Sequence, residues 1–98
     1  MAKVVFSFTD RNLTLEAQIV SIPDLPGEFM VLVLKAGDVF DTISIPIRIE
    51  EGESPNWTII RLLTILKLKS LIHYPKFCSD RDVDEILSKT LKEIRKNL

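Results

Sequence analysis

Apolar and polar residues alternate along much of the first half of the chain. Leu13, Leu15, Ala17 and Ile19 alternate with Thr14, Glu16 and Gln18, giving one dry and one wet face. That period of two predicts a half-buried strand. KVVFSF at 3–8 reads the same way, and the polar tetrapeptide TDRN between the two runs suits a hairpin turn. The alternation slips by one residue at Val20-Ser21-Ile22, which predicts a bulge or a strand end near Ser21.

Pro26-Gly27 suits the centre of a type II turn. The run FMVLVLK at 29–35 is apolar on both faces, as in a strand covered on both sides. After a short Gly-containing connection comes VFDTISIPIRI at 39–49, with Ile43, Ile45, Ile47 and Ile49 on one face. Pro46 has no amide hydrogen for a ladder, so this strand is expected at the sheet edge, outside strand 29–35.

Beyond EEGESPNW the pattern changes to helix. Ser54-Pro55 is a start signal, because serine caps free amides and proline is preorganised for the first helical position. A helix is expected from Pro55 to about Tyr74, stopped by Pro75 and roughly 30 Å long. Ser79 opens a second helix, with Asp82 placed like the acidic partner of a capping box. There Val83, Ile86, Leu87, Leu91, Ile94 and Leu98 form one apolar stripe.

The first helix carries polar residues every third position: Thr58, Arg61, Thr64, Lys67, Ser70, His73, then Lys76 beyond Pro75. A step of three residues turns an α-helix by about 300°, so this polar row winds backward about 60° per step. Either the helix is wet on opposite sides in its two halves, or the hydroxyl residues sit inside and bond to carbonyls one turn back. On both readings Trp57 and the Ile and Leu residues of this helix exceed one stripe. The excess near Leu68, Leu71, Ile72 and Phe77 needs a further partner, most simply a second copy of the chain. The sheet face of Phe29, Val31 and Val33, left bare by helices on the opposite side, is the second choice.

Composition narrows the picture without naming a chemistry. Ninety-eight residues, 46% of them apolar, make a single α+β domain over 1–98. The expected architecture is a four-stranded antiparallel meander followed by two helices packed on one face. A net charge of −1 excludes a global pull toward nucleic acid or anionic membrane. The lone Cys78 calls for no oxidising compartment, and the N-terminus alternates like a strand rather than a signal peptide, so a cytoplasmic location is expected. Arg61, Lys67 and Lys69 interrupt 57–74, which argues against a membrane-spanning helix. Abundant Ile and Leu with a single glutamine, Gln18, resemble a thermophile bias.

No motif demands catalysis, a cofactor or a metal. His73 and Cys78 lack the spacing of a metal site, and a proline and a turn separate them as a nucleophile and base. Asp80, Asp82, Asp84 and Glu85 open the second helix while Lys89, Lys92, Arg95 and Lys96 close it, as the helix dipole favours. Glycines 27, 37 and 52 are isolated, so no phosphate loop is present. The leading expectation is a non-enzymatic, homodimeric interaction module. The alternative is a nucleic-acid-binding module using Lys67, Lys69, Lys76, Arg81 and Lys89 with Tyr74 and His73 as stacking groups.

Overall fold

The two alternating runs form a hairpin of β1 (Lys3–Asp10) and β2 (Leu13–Val20) in a computed structural model that describes residues 2–69 and 75–98. Asp10 pairs with Leu13, so Arg11 and Asn12 make the turn, and Arg11 takes a positive φ of 57°. β2 ends at Val20, where the alternation slips. β1 carries an irregularity that the pattern did not announce: Val4 pairs with Gln18 and Phe6 with Ala17, leaving Val5 as an inserted residue.

Two turns lead to β3 (Phe29–Ala36). In the first, Leu25 N–H donates to the Ile22 carbonyl at 3.1 Å, with Pro23 setting one central φ and Asp24 at a φ of 68°. The second uses Gly27 at a φ of 92°, as the Pro26-Gly27 pair predicts. A side chain there would also strike Arg48, whose guanidinium donates to the Pro26 carbonyl.

β3 pairs antiparallel with β2 on one side and with β4 (Val39–Thr42) and β5 (Ile47–Arg48) on the other. The order β1-β2-β3-β4 is the expected meander, with the proline-containing segment at the edge. That segment is not one continuous strand. Ile43 N–H donates to the Leu32 carbonyl, while Ile47 pairs with Met30, so Ser44, Ile45 and Pro46 bulge out opposite Val31. Pro46 cannot donate to the ladder, and the Ser44 hydroxyl accepts from Leu32 N–H at 2.9 Å in place of a strand carbonyl. Ile43 is therefore buried and Ile47 and Ile49 pack against the core, but Ile45 is 58% exposed rather than aligned with them.

α1 (Pro55–Lys69) and α2 (Asp80–Arg95) lie on the sheet face formed by Leu13, Leu15, Ala17, Met30, Leu32 and Leu34. The α1 side chains sealed in that core, Ile59, Leu62, Leu63 and Leu66, follow ordinary i, i+3, i+4, i+7 spacing. Thr58 is buried as well. Its hydroxyl lies 2.8 Å from Glu53 Oε1 and 3.3 Å from the Ser54 carbonyl one turn back. The polar row thus loses its first member to the interior, whereas Arg61 is half-buried and Lys67 exposed. Ser70 and His73 lie outside the described residues, as does the expected helix end at Tyr74.

α2 begins at the expected cap. Ser79 Oγ accepts from Asp82 N–H at 3.2 Å, and the Asp82 carboxylate accepts from Ser79 N–H at 3.4 Å, completing the capping box. Val83, Ile86, Leu87 and Ile94 are fully buried; Leu98 lies past the helix end and is exposed. Thr90 is fully buried too, and its hydroxyl has no hydrogen-bond partner among the described residues. An unpartnered buried hydroxyl costs about 1–3 kcal/mol. Thr90→Val, close to isosteric, should raise stability by about 1 kcal/mol, read as a higher urea midpoint at unchanged slope. A lower midpoint would mean that the hydroxyl is satisfied.

Candidate functional site

The sheet face opposite the helices, expected bare, is covered within the chain. Phe29, Val31 and Val33 are buried. Their cross-strand neighbours are long polar side chains: Gln18 beside Val31, Glu16 beside Val33 and Arg48 beside Phe29. Lys35 reaches over to Glu16 at 3.0 Å, Gln18 donates to Glu16 at 3.2 Å, and the Arg48 guanidinium sits 4.9 Å above the Phe29 ring. The aliphatic stems of such residues shield apolar surface while their heads stay in water. Phe29, Val31 and Val33 therefore offer little surface to a partner.

The α1 surplus is partly visible. Leu68 is 78% exposed and Phe77 is half-buried against the core, while Leu71 and Ile72 lie outside the described residues. Trp57, one of the apolar residues in excess of a single stripe but not placed at the expected contact, is 56% exposed. Positions 57 and 68 are three helical turns apart, so their side chains project within about 20° of each other and about 16 Å apart along the axis. Arg61 and Thr64 fall between them on the same line, giving i, i+4, i+7, i+11 spacing, the repeat of a helix-pairing seam. Seam spacing combined with the side-chain types was the available sequence signal; the period of three picked out Arg61 and Thr64 of this line but not Trp57 and Leu68 at its ends.

Arg61 is held rather than free. Its Nε donates to Glu53 Oε2 at 3.1 Å, and its Nη2 donates to Glu53 Oε1 at 3.0 Å and to the Arg48 carbonyl at 2.7 Å. The hydrogen bonds from Arg61 to this carboxylate, with others from Thr58 and the Glu50 amide, outweigh burial and draw the Glu53 carboxyl down to about 2. The cluster ties the loop before α1 to the end of β5.

Of the basic residues considered for nucleic acid, Arg81 and Lys89 line one groove along α2 and Lys67 reaches Ser88 at its side. Lys67 donates to Ser88 at 2.6 Å. Lys89 bridges Asp10 at 3.0 Å and Glu85 at 3.3 Å, and Arg11 closes the ring to Glu85 at 3.2 Å. The hydrogen bond from Lys89 lowers the Asp10 pKa, and Asp10 in turn raises that of Lys89. Lys76 and Arg81 are exposed; the Lys69 side chain and Tyr74 lie outside the described residues. A shallow groove along α2 mixes both signs, being lined by Arg81, Asp84, Glu85, Ser88, Lys89 and Lys92.

Asp82 serves the α2 cap and Glu85 the ion-pair ring, and the described residues contain no group of three potential ligands that could hold a metal ion. Cys78 is half-buried, its pKa raised by that burial first and by Asp82 and Asp41 second. His73, its only conceivable imidazole partner, lies outside the described residues. No described helix is long and apolar enough to cross a membrane. No protein-family model, curated protein or solved structure matches the chain.

Proposed function

We propose that this chain is a non-enzymatic interaction module that self-associates as a homodimer through the outward line of α1. The observation that carries the reading is the pair of large exposed apolar side chains, Trp57 and Leu68, at the two ends of that line. An antiparallel contact about a twofold axis would set Trp57 against the partner's Leu68, and the reverse. Arg61 and Thr64 would meet in the middle, with the Arg61 charge already balanced by Glu53. Isologous contacts of this kind are the commonest closed assembly.

Light scattering at micromolar concentration should give about twice the 11.2 kDa chain mass. Trp57 is the only tryptophan, so its emission reports on the contact directly. Dilution should shift that emission to the red, and Leu68→Glu should give a folded chain whose emission is red-shifted at every concentration. A wild-type chain that stays monomeric at millimolar concentration, with emission independent of dilution, would overturn the proposal.

The nucleic-acid reading has less support, because Lys67 and Lys89 are engaged within the chain and Arg81 shares its surface with acids. Mixed oligonucleotides should bind no tighter than about 10⁻⁴ M at physiological salt. Submicromolar binding that weakens steeply with salt, and is lost on Lys89→Glu with Lys92→Glu, would reverse the ranking.

A further inference from the structure

No further inference is drawn: the strongest candidate, the exposed apolar edge where β4 gives way to the bulge (Val39, Phe40 and Ile45), carries nothing because nothing in the structure shows what covers it.

Discussion

Replacing Leu62 with alanine should lower the unfolding free energy by about 2–5 kcal/mol, whereas Leu68→Ala should change it by less than about 0.5 kcal/mol in dilute solution. Both leucines belong to one helix, yet Leu62 is fully buried in the core and Leu68 points away from it. Truncation at Leu62 removes apolar transfer energy and leaves a cavity bounded by side chains that relax only partly. For a domain of this size the whole stability is about 5–15 kcal/mol, so the loss is a large fraction. The melting temperature should fall by about 10 °C or more. Urea unfolding of both variants, at concentrations dilute enough for wild-type light scattering to read the monomer mass, measures the contrast. Equal losses at the two positions would mean that α1 is rotated from its observed seating. A Leu68 effect that grows with protein concentration would instead register the proposed dimer contact.

The second large effect is electrostatic. Glu53→Gln should cost about 2 kcal/mol at neutral pH, reduced from the full linkage value because solvent still reaches part of the site. The Glu53 side chain is only 17% exposed and accepts from Arg61, Thr58 and the Glu50 amide. Its carboxyl titrates at about 2 in the folded chain against an ordinary 4.5. The folded state therefore holds the ionised form more strongly than the unfolded chain does. That contribution is fully present above about pH 5, and it is lost as the pH falls through the interval down to about 2. Glutamine keeps the shape but leaves the half-buried Arg61 guanidinium without its countercharge. Unfolding curves at pH 7 and pH 3 should show the gap between wild type and variant narrowing on acidification. A gap of the same size at both pH values would place the stabilisation in shape rather than in ionisation.

These two positions show which features were legible along the chain. The strand-to-helix order, the edge placement of the Pro46 segment, the positive φ of Gly27 and the Ser79–Asp82 cap were all readable. Each depends on residues within a few positions of one another: a period of two, a missing amide hydrogen, a missing Cβ, a side chain reaching its own helix start. The dry face of β2 was readable for the same reason, since alternation along one strand sorts its side chains without reference to a partner.

What tertiary structure alone decided is which of the remaining side chains meet. The shelter over Phe29, Val31 and Val33 comes from Glu16, Gln18, Lys35 and Arg48, and only the strand register brings these together. Ile45 left the line of its neighbours because Pro46 broke the ladder and the Ser44 hydroxyl replaced a carbonyl. Thr58 entered the core because Glu53 and the Ser54 carbonyl were at hand to receive its hydroxyl, while Thr90 entered with no such partner among the described residues. By itself the sequence determined where strands and helices form, through signals a few residues long. Packing between segments tens of residues apart decided what is buried and what stays open, because a side chain's surroundings depend on register and helix seating rather than on its chain neighbours.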